Sequence, residues 1–164
     1  MQLFVGVWPP PKVREVLADY PRPKVGDVRW STPDQWLVKL RPLGHVADAV
    51  VPQLIETLRF ELDGAPKLEV SFGEPYRDQW LMVPVLGLDD LGALVFEVTE
   101  PLVPVTHPKP WSAQLVLARA KRVPPELAKP ISATWTVSSV SLARGTRTKD
   151  GPGYEDVEVF PLGA

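Results

Sequence analysis

The sequence predicts an α+β domain made of short strands and short helices. Strand-like runs rich in Val, Phe, Thr and Trp recur along the chain and alternate with brief helical stripes. The 20 Pro residues give many short elements with sharp ends and exclude a bundle of long helices. With 164 residues, of which 45% are hydrophobic, the chain is long enough for one domain with a proper core.

Residues 2–8 (QLFVGVW) form a strand by length and content, and Pro9, Pro10 and Pro11 end it. Pro tolerates the first helical turn, so a helix is expected over 11–20, with Val13, Val16, Leu17 and Tyr20 as its apolar stripe. Residues 28–30 make a short strand, and Ser31-Thr32-Pro33-Asp34 a turn. The turn leads into residues 35–44 (QWLVKLRPLG), a strand closed by Pro42 and Gly44. Alternation places Leu37, Lys39 and Arg41 on one face, and Trp36, Val38 and Leu40 on the other, toward the core.

A helix over 47–59 buries Val50, Leu54, Ile55 and Leu58; Pro52 marks its true start or a kink. Strands are expected over 67–76 and 80–86, and Pro84 places the second at an edge or a bulge. Asp89 or Asp90 caps a helix running to about residue 97, with Leu91, Leu94, Val95 and Val98 inward. Pro101, Pro104, Pro108 and Pro110 punctuate the loop before a strand over 112–119 (SAQLVLAR). There Gln114 and Val116 share a face, opposite Leu115 and Leu117. A helical turn over 124–128, a long strand over 133–144, a polar turn over 145–153 and a last strand over 154–162 complete the chain.

Composition excludes several chemistries. A net charge of −2 supplies no global positive field, so any basic site is local. Without Cys there are no disulfides and no thiolate chemistry. Two His are too few for the usual Zn or Fe site, and no cofactor is expected. The apolar runs are short and interrupted, so neither a signal peptide nor a membrane span is expected, and the chain reads as cytoplasmic.

The runs QWLVKLRPLG and AQLVLAR, with the opening MQLFVGVWPPPKVREVL, the VRW-x-x-P-x-QW segment and the GPGYE tail, resemble the two-histidine phosphoesterases. The branch they resemble is that of the LigT-like RNA 2′,3′-cyclic phosphodiesterases, often labelled 2′-5′ RNA ligases. That family carries His-x-Thr-x twice, in frames like QWHLTLRFLG and PHLTLAR. The resemblance spans the chain, with its segments in order. It implies a single domain over 1–164 of two pseudo-symmetric lobes, each an antiparallel sheet backed by helices, facing one another across a cleft. The motif faces of the two strands would line that cleft.

All four signature positions have changed. Leu37 and Lys39 stand at the first His and Thr, and Gln114 and Val116 at the second. The family's reaction uses one His as base and the other as acid around a cyclic phosphate, while the Thr hydroxyls bind its oxygens. Each acid or base contributes roughly 10²–10⁴ in rate. Leu37 moves no proton, Gln114 does not titrate, Val116 offers nothing polar, and Lys39 binds a phosphate as a point charge. The expectation is therefore a pseudoenzyme with no catalytic residues at these positions. It would hold a nucleotide, an RNA end or a protein partner in the old cleft, and act as a monomer.

Ligand-binding candidates are Lys39, Arg41, Gln114, Trp111, which could stack on a base at the cleft mouth, and Tyr154, near the cleft in the family. Two other readings stay open. One is an active cyclic phosphodiesterase or ligase using recruited groups such as His45 or His107, both otherwise solvated loop residues. The other is an interaction module with a collapsed cleft, in which Lys39 and Arg41 pair with acids. Arg144, Arg147 and Lys149 read as a solvated hairpin tip.

Overall fold

The computed structural model describes residues 1–105 and 112–163. His107 and Trp111 lie outside them. Among the described residues, ten strands, three α-helices and two short 3-10 turns follow one another, and the strands form two antiparallel sheets.

The first sheet has the order β10-β9-β1-β3, built from β1 (Gln2–Val7), β3 (Val38–His45), β9 (Ser139–Thr148) and β10 (Gly151–Pro161). The second has the order β2-β7-β6-β4-β8, from β2 (Arg29–Trp30), β4 (Leu68–Phe72), β6 (Leu81–Leu86), β7 (Gln114–Arg119) and β8 (Thr134–Val137). A two-residue strand, β5 (Tyr76–Arg77), joins it by pairing with β6. The motif strands β3 and β7 thus lie in different sheets, and they touch. One apolar core runs through both sheets, from Leu3, Val5 and Val38 to Val83, Leu115 and Leu117.

Helix α1 (Pro11–Ala18) starts on the third Pro of the run and buries Val13 and Leu17. Tyr20, just beyond it, donates its hydroxyl proton to the carbonyl of Leu127 or Lys129, 3.0 and 2.9 Å away, and accepts from the Lys129 amide. Helix α2 (Val51–Leu62) begins four residues later than the expected 47, because Pro52 sits in its first turn, where its missing N–H costs nothing. Helix α3 (Asp89–Thr99) starts from Leu88, so Asp89 and Asp90 are first-turn residues at the positive end of the helix dipole and not caps. Helix α3 packs against both β3 and α2.

Three further expectations are corrected. Pro84 is in an inner strand, not at an edge or in the bulge, which lies between Leu81 and Met82. Its missing donor is tolerated because the β4 ladder covers only Leu86 and Val85; beyond it the Gly73 amide donates to the Pro84 carbonyl. The long strand over 133–144 is two strands broken at Ser138, and β8 and β9 belong to different sheets. The polar turn shrinks to Lys149 and Asp150, because β9 and β10 extend almost to the tip.

Among the described residues, no helix is long and apolar enough to cross a membrane.

Candidate functional site

The site is built on the inward faces of β3 and β7. On the first sheet, register fixes which side chains share a face, because directly opposed residues point the same way. Gly6 opposes Lys39, Phe4 opposes Ala143 and Tyr154 opposes Gly145. These residues form one surface, on which Phe4, Leu37 and Ala143 make a small apolar cluster flanked by Trp8 and Tyr154. Leu37 is 2% exposed and lies across Gly6. A Cβ at Gly6 would stand 2.9 Å from the Leu37 side chain and 2.6 Å from the Val38 carbonyl oxygen, so only glycine admits that side chain.

Lys39 is half-buried on the same surface. Its Nζ lies 4.9 Å from the ring centroid of Phe4 and 4.9 Å from that of Tyr154. The two rings meet edge to face with centroids 5.0 Å apart. A cation over two aromatic faces is held in place while its N–H donors stay available. Beside it, Trp8 Nε1 donates to Asp156 at 2.7 Å.

Arg41 does not join them. The β1–β3 register slips between Gly6↔Lys39 and Val5↔Arg41, so Leu40 is the extra residue of a bulge. The slip turns Arg41 onto the face of Val5, away from Lys39. Arg41 is fully buried; Nη1 donates to Thr99 Oγ1 at 2.7 Å, Nη2 donates to the Val103 carbonyl at 2.6 Å, and the guanidinium lies 4.9 Å over Phe96. Burial pulls its pKa down, and the Glu100 charge partly offsets this. The expectation that Arg41 faces the cleft is corrected: it ties β3 to the end of α3.

On the second sheet, Gln114 opposes Pro84, Val116 opposes Met82, and Tyr76 opposes Met82 from the other side. Gln114 and Val116 are half-buried, whereas Leu115 and Leu117 are in the core, as alternation requires. Tyr76 donates its hydroxyl to Gln114 Oε1, which leaves the amide nitrogen as a donor. Burial, and then the charge of Asp78, raise the Tyr76 pKa, so the phenol stays protonated in that role.

Sequence reasoning missed three residues here. Arg119 closes the AQLVLAR frame; its guanidinium lies 5.1 Å over Trp80, and its Nε is buried without a partner among the described residues. Register places Arg119 directly opposite Arg29, a like-charged pair. The two arginines line an opening of about 90 Å³ with Gln35 and hairpin residues Asp150, Gly151 and Pro152. Gln35 seats that hairpin by donating Nε2 to the Pro152 carbonyl at 2.7 Å. Tyr76 and Trp80 are the other two. The signal for Arg119 was its place in the frame; for the aromatics there was none, since most Trp are core.

His45 is exposed at the far end of β3, opposite Gln2. It lies six residues from Lys39, about 20 Å along an extended strand. Arg144 pairs with Glu155 at 2.8 Å on the outer hairpin surface. No cluster of His, Asp and Glu suited to a metal occurs among the described residues.

No protein-family model matches the sequence, and no curated protein is significantly similar to it. Solved structures are similar in fold over the whole chain. The Thermus thermophilus protein TT0787 superposes with a TM-score of 0.84 at 21% identity, covering 99% of this chain and 98% of that one. A structure described as a phosphoesterase gives 0.80 at 15% identity, covering 99% of both chains. Escherichia coli LigT, solved with NADP+, gives 0.77 at 16% identity, covering 99% of this chain and 98% of that one. The same protein has been solved with 3′-AMP, with ATP and with phosphate. The chain therefore has the LigT-like α+β fold that the sequence implied.

Proposed function

We propose that this chain is a two-histidine phosphoesterase relative, one domain of two lobes, that binds a nucleotide or the phosphorylated end of an RNA in its cleft and does not turn it over. The observation that carries this is the chemistry of the cleft-facing side chains. Apart from Asp156, which Trp8 engages, they are cations and neutral donors: Lys39 between its rings, Gln114, and Arg119 beside Arg29. Among the described residues none of these cations has a carboxylate partner, and like charges directly opposed across strands are destabilising. An anion between Arg29 and Arg119 relieves that repulsion and gives the buried Arg119 Nε an acceptor.

Loss of turnover follows from what the motif positions hold. Leu37 is sealed against Phe4 and Ala143, so neither water nor a proton donor replaces the missing imidazole there. Lys39, at the threonine position, takes over the binding of phosphate oxygens as a charge. The nucleotide and phosphate complexes of LigT make the same ligand class the first to try here.

The test is calorimetric titration with adenosine 3′-phosphate. Saturable binding is expected, weakened about tenfold or more by Lys39→Ala, since a hydrogen bond to a charged group contributes about 1.5–3 kcal/mol. Absence of any heat or thermal shift at millimolar nucleotide would refute it. One observation favours a second reading, an interaction module with a filled cleft: the apolar cluster of Leu37 already occupies the first half-site. A thermal shift with nucleotide that Lys39→Ala abolishes would exclude that reading.

A further inference from the structure

We propose that Tyr76 and Trp80, on the hairpin of β5 and β6, form a stacking platform for the bases that precede the terminal nucleotide of a single-stranded RNA. This rests on the cleft being the seat of an RNA end, and adds that the chain selects an oligomer over a mononucleotide. Large aromatics elsewhere are mostly put away: Trp36 and Trp135 are buried, and Trp30 packs on Tyr20. Tyr76 and Trp80 are 41% and 36% exposed.

Their exposure is organised. Tyr76 opposes Met82, and Trp80 is two residues before Met82, so alternation puts both rings on the face that carries Gln114 and Val116. Trp80 lies one residue before β6, and diagonal neighbours across an antiparallel pair stand up to about 7–8 Å apart, a spacing that two successive bases of one strand can meet. Both rings are fixed before any ligand arrives. The Tyr76 hydroxyl is tied to Gln114 at one end of β7, and Trp80 is covered by Arg119 at the other. The platform is continuous with the proposed phosphate seats, because the residues that hold the rings are themselves cleft residues.

Charge selects the occupant. Arg119 on β7 and Arg29, opposite it on β2, lie beside this face, whereas Arg77 opposes Leu81 on the other face and donates to the Val123 carbonyl at 3.0 Å. Aromatic faces flanked by arginines suit a polyanion with π-faces, and single strands are bound in this way with little sequence preference.

The experiment compares titrations of the full chain with adenosine 3′-phosphate and with a single-stranded RNA trinucleotide bearing the same 3′-phosphate. The trinucleotide should bind at least about tenfold more tightly, the contribution of one stacked base. Trp80→Ala and Tyr76→Ala should each reduce the ratio of the two affinities by about tenfold. Trp80→Phe and Tyr76→Phe should keep most of it, since each retains a ring. Phe60→Ala, which removes a ring 77% exposed on α2, should leave the ratio unchanged. Melting temperatures confirm that each variant is folded. If the mononucleotide binds and the trinucleotide is no tighter, or if the alanine variants keep the full ratio, the platform is wrong and the cleft reading stands. If neither ligand binds, the cleft reading fails and the platform with it.

Discussion

The two frame strands set their signature positions in different surroundings. On β3 the first position is closed: Leu37 is packed under Phe4 and Ala143, and Lys39 is held between two rings. On β7 the second position stays half open, with Gln114 steadied by Tyr76, and Val116 only half-buried. One half-site has become part of the packing and the other has kept a polar, reachable face. Two strands of like sequence frame can therefore be put to different uses: the first half serves packing, and the second leaves donors within reach of a ligand.

The largest expected effect comes from making the two halves alike. Leu37→His, Lys39→Thr, Gln114→His and Val116→Thr together should create turnover of a 2′,3′-cyclic nucleotide, and on the proposed reading the parent should show none. The gain should be at least about 10²-fold over a variant carrying only one histidine, since each acid or base contributes roughly 10²–10⁴. Chromatographic product analysis reads it. Equal rates in the one-histidine and two-histidine variants would show that the halves do not cooperate.

Next in size is the contrast between two cations on β3. Arg41→Ala removes two buried hydrogen bonds from a charged group and should cost about 3–5 kcal/mol in urea unfolding. Lys39→Ala should cost at most about 2 kcal/mol, the range of a partly desolvated cation–π contact, while weakening the ligand. Similar losses for the two would mean that Lys39 is structural as well.

Packing gives a smaller contrast. Leu37→Ala should destabilise by about 3 kcal/mol, as deletions in closed apolar clusters do, and Val116→Ala by about 1 kcal/mol or less. Reversal of that order would contradict the closed and open halves.

The smallest effect lies outside the cleft and serves as its control. Burial raises the Tyr20 pKa above its ordinary value of 10.0. The unfolded chain therefore releases that proton first as pH rises, and stability falls from about pH 10 upward. Tyr20→Phe should flatten this loss in a melting series from pH 8 to 11 and leave ligand affinity unchanged.

Most of the fold was legible because Pro and apolar periodicity are local signals. The triple Pro before α1 and the alternation of Leu115 and Leu117 against Gln114 and Val116 required no tertiary knowledge. Two kinds of feature were hidden. Arg41 was misplaced because a bulge at Leu40 depends on how β1 pairs with β3, and one slipped residue reverses every side chain after it. The break at Ser138 was hidden because a chain passing from one sheet to another keeps its extended conformation. At the site, the frames singled out Lys39 and Gln114, and the GPGYE tail singled out Tyr154. Arg119 had a signal in its place in the frame, but its pairing with Arg29 and the exposure of Tyr76 and Trp80 depend on long-range register and left no pattern along the chain.

The central claim, a seat that holds its ligand and leaves it intact, meets its most direct test in one measurement. Adenosine 2′,3′-cyclic phosphate is bound to the full chain at equilibrium, and the bound fraction is then recovered and analysed. The account predicts saturable binding and recovery of the cyclic phosphate unchanged. Recovery of the opened 2′-phosphate in the parent, with the opening lost in His107→Ala, would contradict it.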